Sequence, residues 1–96
     1  MLHLITQSPI DIAIFQRLGV GDDVLFLDKA VLNLLQKGYL STVLTTLLAQ
    51  HQLYVLSDDL ELRGISPSEL LIGLNIIDYV GFVDLTVKNP LIQTWS

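Results

Sequence analysis

The chain has 96 residues, 51% hydrophobic and 16% charged, a composition that packs into one domain over residues 1–96 and excludes a disordered linker. Ten acidic against five basic side chains leave a net charge of −5, and Arg17, Lys29, Lys37, Arg63 and Lys88 are scattered, so no basic patch is available for nucleic acid phosphates. Because cysteine is absent, disulfides, thiolate metal sites and cysteine nucleophiles are excluded by inventory.

Met1 to Thr6 is short, apolar and strand-like. It stops at Gln7-Ser8-Pro9, where Ser8 suits an N-cap, Pro9 suits the first helical position, and Asp11 follows three residues later as in a shortened capping box. The helix predicted there has Ile12, Phe15 and Leu18 on one face and ends in Gly19-Val20-Gly21. Asp23 to Asp28 holds the unbroken run Val24-Leu25-Phe26-Leu27, which lacks the alternation of a half-exposed strand and is expected to be buried on both faces of a parallel sheet. A helical zone with Val31, Leu34 and Leu35 follows, and then a helix with Leu40, Val43, Leu44, Leu47 and Leu48 at helical spacing, its Ser and Thr residues opposite.

Leu53 to Leu56 reads as a third strand. Ser57-Asp58-Asp59 starts a short helix whose acidic first turn complements the helix dipole, and Gly64 ends it. Ser66-Pro67-Ser68-Glu69 is another helix start, Gly73 precedes a fourth strand, Leu74 to Ile77, and Asp78 caps a last helix that aligns Val80, Val83 and Val87 and stops at Pro90. Leu91 to Trp95 is predicted as an edge strand. Five short strands alternating with helices specify right-handed crossovers, hence an α/β fold with a mostly parallel, flavodoxin-like sheet covered on both faces. A chain of this size buries only about 60% of its unfolded surface, so the apolar surplus is expected to line a subunit interface.

No Lys or Arg precedes Arg17, and Pro9 and Asp11 interrupt the place of a signal-peptide core, so a cytoplasmic location is expected. The uncharged stretch from Gly38 to Ser57 carries Ser41, Thr42, Thr45, Thr46 and Gln50-His51-Gln52, too polar for a membrane span of about 20 residues.

In a parallel sheet, function sits beyond the carboxyl ends of the strands, which directs attention to Thr6–Pro9, Asp28–Ala30, Ser57–Asp59 and Asp78–Tyr79. Capping alone accounts for Ser8, Ser57 and Asp78. Gly19-Val20-Gly21 follows a helix and enters a strand, the reverse of a phosphate-binding loop. His3 in the first strand reads as a buried or interfacial histidine, and His51 as a solvated loop residue; neither is spaced with a second metal ligand. Asp58, Asp59 and Glu61 do not share one helix face, so a solvated first turn is preferred to an acid–base pair or cation site. Ser8 as a nucleophile needs a base held by a third group, and only His3 and His51 supply imidazoles.

Met1-Leu2-His3 followed by Ser8-Pro9, Gly21-Asp22-Asp23 leading into an apolar strand, Ile77-Asp78-Tyr79 with Phe82-Val83 and Leu85-Thr86-Val87, then Gln93 and Trp95, together resemble the TusB/DsrH family of sulfur-relay proteins. The resemblance covers nearly the whole chain and is most specific from Ile77 to Trp95. It implies a DsrEFH-like α/β domain that is one of three related subunits, assembled with TusC-like and TusD-like partners as a heterohexamer of two copies each. Such a complex receives persulfide sulfur from a TusA-like donor and passes it to a TusE-like acceptor, toward 2-thiolation of the tRNA wobble uridine. The related DsrEFH complexes serve dissimilatory sulfur oxidation, and some of their DsrH-type members have a cysteine near the first helix.

This chain has none, which favours the TusB-like branch and a noncatalytic role, since only a sulfur nucleophile carries sulfane sulfur by thiol exchange. At Asp28-Lys29-Ala30-Val31 it also departs from the family tendency toward a smaller residue after the acidic one. The resemblance carries over no catalytic, cofactor or metal residue; His3, Asp78, Tyr79 and Trp95 are family-matching positions expected to support structure or contacts. A self-associating small-molecule-binding domain is the alternative from another class, and an independent hydrolase using Ser8 or Asp58 a third.

Overall fold

The computed structural model describes residues 1–96. Five parallel strands, β1 (Leu2–Ile5), β2 (Asp23–Phe26), β3 (Gln52–Leu56), β4 (Asn75–Ile77) and β5 (Ile92–Trp95), form one sheet in the order β4-β3-β2-β1-β5. The registers Leu2↔Asp23, Asp23↔Gln52, Tyr54↔Asn75 and Leu2↔Ile92 hold the ladder together. The predicted α/β class and the β5 edge strand are present, and β2 is buried at all four positions, as its unbroken apolar run requires.

Three α-helices are present: α1 (Ser41–Leu48), α2 (Ser57–Leu62) and α3 (Tyr79–Lys88). The other helical zones differ from expectation. Ile12–Arg17 and Asp28–Leu34 are 3-10 segments. With β-branched Ile12 and Ile14, and with Gly19 and Gly21 following closely, the first has too few residues to sustain an α-helix, so tighter turns take its place. Ser8 does not cap it. The Ser8–Pro9 peptide is cis, the helix starts after Asp11, and Asp11 accepts from the Ala13 N–H at 2.9 Å. Ser57 likewise lies inside α2 and makes no cap bond. Asp78 does cap α3, accepting from the Gly81 N–H at 2.9 Å, and Ser66 and Glu69 close the capping box that opens the 3-10 turn Pro67–Glu69.

Strand alternation divides the core in two. Ile5, Val24, Phe26, Leu53 and Val55 face the larger cluster, which Ile10, Ile14, Phe15, Ala30, Val31, Leu34, Leu40, Leu44, Leu60 and Leu70 complete from the 3-10 segments, α1 and α2. Leu2 and Leu25 face the other side, where Leu85 of α3 joins them with Phe82 and Tyr54 partly buried alongside. Helices therefore cover both faces unevenly, one face being covered by α3 alone. No helix is long and apolar enough to cross a membrane.

On helix α3 the aligned Val80, Val83 and Val87 face solvent, while Phe82 and Leu85 turn inward. The apolar period is present on both sides of the helix, and periodicity alone does not say which side the sheet takes.

Candidate functional site

The polar side chains that the fold gathers most tightly lie at the start of β1 and β2. His3 is buried at 2% exposure and sits between two partners on different elements. Its Nε2 lies 2.8 Å from Oδ2 of Asp22, in the turn before β2, and its Nδ1 lies 3.2 Å from the indole nitrogen of Trp95 in β5. An indole N–H only donates, so Nδ1 is the acceptor, and Nε2 carries the hydrogen given to the carboxylate. The His3 and Trp95 rings are stacked, with centroids 6.3 Å apart and an interplanar angle of 14°, and the Arg17 guanidinium stands 5.8 Å from the Trp95 ring centroid.

Asp22 also accepts from the Gly19 N–H at 2.8 Å and faces the Met1 ammonium at 3.3 Å. Burial pushes this carboxyl upward, but the hydrogen bond from His3, then that from Gly19 and the Met1 ammonium outweigh it and lower its pKa to about 2. The folded value lies below the ordinary 3.8, so the stabilisation from Asp22 is complete above the unfolded value and is lost as pH falls from 3.8 toward 2. Across that window the wild-type protein is expected to lose about 1–2 kcal/mol that an Asp22→Asn variant does not lose. Urea unfolding of both proteins at pH 7 and pH 2.5 measures this; parallel losses contradict it.

Trp95→Phe keeps a ring over His3 but removes its donor, leaving Nδ1 without a partner in a buried site. The expected loss is about 1–2 kcal/mol by urea unfolding, and a variant as stable as wild type contradicts the role given to the indole.

Asp23, 3% exposed, anchors a second contact: its Oδ2 lies 3.1 Å from Asn89 Nδ2 and 3.3 Å from Lys88 Nζ, tying the end of α3 to β2. The sequence reading treats Gly21-Asp22-Asp23 as an ordinary turn. Gly21 does turn there, at φ 81°, but the two aspartates that follow hold three elements together. The signal for them was two adjacent carboxylates at the mouth of an uninterrupted apolar strand, where charge is costly unless paired.

The loops beyond the strand ends hold their polar groups in folding contacts. Thr6 donates to the Trp95 carbonyl at 3.3 Å, and Ser8 accepts from Asn33 Nδ2 at 3.2 Å with no imidazole beside it. Asp28 takes the left-handed φ of 53°, which aspartate tolerates; its N–H donates to Asp59 Oδ2 at 2.7 Å and its carboxylate meets Arg63 Nη2 at 2.7 Å. Asp59 thus braces the turn after β2, apart from Asp58 and Glu61. No group of three His, Cys, Asp or Glu side chains converges as metal ligands would.

His51 is half-buried, and its Nδ1 is buried without a partner, unlike the solvated loop residue its surroundings predict. It lines a polar cleft of about 190 Å³ with Asp22, Asp23 and Gln52, smaller than a usual ligand pocket of about 300–1,000 Å³. Of the four family-matching positions, the fold joins His3 to Trp95 and sets Asp78 and Tyr79 apart at the start of α3, where Tyr79 packs edge-on against Phe82 with centroids 5.8 Å apart.

Parallel five-stranded order, a cysteine-free chain and strand-end loops occupied by folding contacts define a small α/β domain whose polar groups brace its elements. The solved structure of a protein of unknown function, MTH1491 from Methanobacterium thermoautotrophicum, shares this fold at a TM-score of 0.78 and 15% identity, over 98% of this chain and 96% of that one. The YchN protein of E. coli does so at 0.75 and 18%, over 98% and 97%. The chain belongs to the DsrH-like family: the family described as DsrH like protein matches residues 7–91. It is 41% identical to Protein TusB of Erwinia tasmaniensis over 103 residues, and 34% identical to Protein TusB of Escherichia coli over 99, each alignment spanning 99% of this chain and 100% of the relative.

Proposed function

We propose that residues 1–96 form the noncatalytic, TusB-like subunit of a cytoplasmic sulfur-relay complex that serves 2-thiolation of the tRNA wobble uridine. The observation that carries this reading is end-to-end similarity to proteins named TusB in a chain without cysteine. A persulfide forms on a thiolate and moves by attack of another thiolate on sulfur, and no hydroxyl, carboxylate or imidazole substitutes in that exchange. The relay sulfur must therefore reside on another subunit, a TusD-like partner, with a TusC-like chain completing a heterohexamer of two copies each. A TusA-like donor and a TusE-like acceptor exchange sulfur with that assembly.

Within it, His3 and Trp95 hold β5 against β1, and Asp78 and Tyr79 position α3 for contact with another subunit. The missing cysteine favours this branch over a DsrH-like subunit of sulfur oxidation. Deleting the gene is expected to abolish 2-thiouridine at the wobble position, read by nucleoside mass spectrometry of bulk tRNA, with restoration by the intact gene; undiminished 2-thiouridine in the deletion strain counts against the proposal.

A further inference from the structure

His3 is buried, and its two ring nitrogens face groups of opposite character. Nε2 gives its hydrogen to Oδ2 of Asp22 at 2.8 Å, a carboxylate that accepts from an imidazolium as readily as from a neutral ring. Nδ1 accepts from the Trp95 indole at 3.2 Å, and that bond exists only while Nδ1 is bare, because an indole N–H donates and never accepts. A proton gained at Nδ1 therefore sets two N–H groups against each other in a buried site, while the bond to Asp22 survives and strengthens. The ring stays with Asp22, and the indole is the group that must leave.

The charges around this ring lie on separate segments. Asp22, in the turn before β2, has its carboxyl lowered to about 2 and stays ionised throughout the range in which an imidazole titrates. The Met1 ammonium, 3.3 Å from Asp22 Oδ1, already takes up part of that negative charge. Arg17, at the end of the first 3-10 segment, stands 5.8 Å from the centroid of the Trp95 ring, so an imidazolium stacked on the same indole adds a second cation beside it. Val24 and Gln93, level with His3 on β2 and β5, are uncharged. Asp23 turns its carboxylate to Asn89 and Lys88, and His51 lines the same polar cleft as Asp22.

The indole holds the end of an edge strand. Apart from it, that end of β5 is fixed by the Trp95 carbonyl, which accepts from the N–H and the Oγ1 of Thr6 at 2.9 and 3.3 Å, and Ile92, Gln93 and Thr94 before it are exposed. Few buried apolar groups and a ladder open to water mark a segment that detaches locally. The start of β5 follows Asn89, which Asp23 anchors, so detachment stops there. We propose that His3 and Trp95 form an acid-sensitive latch: protonation of His3 expels the indole, frees the end of β5, and leaves β1 as the edge of the sheet at Ile5. The latch belongs to the chain itself and does not depend on the sulfur-relay reading.

Trp95 is the sole tryptophan, so its emission reports this residue alone. In the purified full-length chain, the emission maximum is expected to move to longer wavelength between pH 8 and about pH 5, and acrylamide quenching to rise, while the far-ultraviolet circular dichroism stays unchanged. His51→Gln is expected to keep this transition and His3→Gln to abolish it. Asp22→Asn, which removes the anion that favours an imidazolium, is expected to lower the midpoint by about one pH unit or more. A wild-type emission maximum that stays fixed across this range overturns the proposal, whether or not His3→Gln folds. So does a transition that persists in His3→Gln, vanishes in His51→Gln, keeps its midpoint in Asp22→Asn, or occurs only together with loss of circular dichroism. None of these results bears on whether the deletion strain loses 2-thiouridine, so the two proposals fail separately.

Discussion

Phe26→Ala is expected to destabilise the protein by about 3–5 kcal/mol, the range for deleting a fully buried aromatic ring. Phe26 has no exposed surface and lies in β2, the middle strand, level with Ile5 of β1 and Val55 of β3. Its ring belongs to the cluster that joins the sheet to Ala30, Leu34 and Leu44, and those elements are pinned by several other contacts, so they cannot collapse into the space it leaves. Since a domain of this size has a total stability of about 5–15 kcal/mol, the variant is expected to be close to unfolding at physiological temperature. Urea unfolding at pH 7 measures the loss, and a loss below about 1 kcal/mol contradicts the assignment of the ring to the larger core.

Asp23→Ala is expected to cost about 2–3 kcal/mol, whereas Lys88→Ala, on the other side of the same ion pair, is expected to cost at most about 1 kcal/mol. The asymmetry follows from burial. Lys88 has 64% of its side chain exposed and returns to water when its partner is removed. Asn89 is 7% exposed, and without Asp23 its amide keeps only the Leu85 carbonyl. The buried donor left behind, and not the lost Coulomb attraction, sets the cost. The same contact fixes the end of α3 against β2. Equal losses in the two variants contradict this account.

Some of this architecture was legible in the residues because the signals are local. The unbroken run Val24-Leu25-Phe26-Leu27 specifies a strand buried on both faces, Asp78 specifies the start of α3, and Ser66 with Glu69 specifies a capping box. Pro90, closing α3, sets the start of the parallel edge strand that pairs with β1.

Other features depend on distant partners. Ser8 and Pro9 have the composition of a helix start, but Ser8 instead accepts from Asn33, and the helix waits for Asp11. Val31 and Leu34 lie on 3-10 turns packed into the larger core cluster, a choice between helix types that their apolar spacing does not report. The valines of α3 carry the helical period, yet Phe82 and Leu85 win the sheet-facing side because Gly81, beside Ile77, lets the helix approach closely: a Cβ there would lie 2.9 Å from that of Ile77. The His3–Trp95 contact joins residues 92 positions apart, so the sequence offers the two residues but not their meeting.

The central claim is that this chain works inside a relay complex whose sulfur is carried by another subunit. Native mass spectrometry of the chain co-expressed with its genomic neighbours tests it most directly. The account predicts a mixed hexamer containing two copies of this chain and a cysteine-bearing sibling; a homo-oligomer that forms in their presence and leaves them unbound contradicts it.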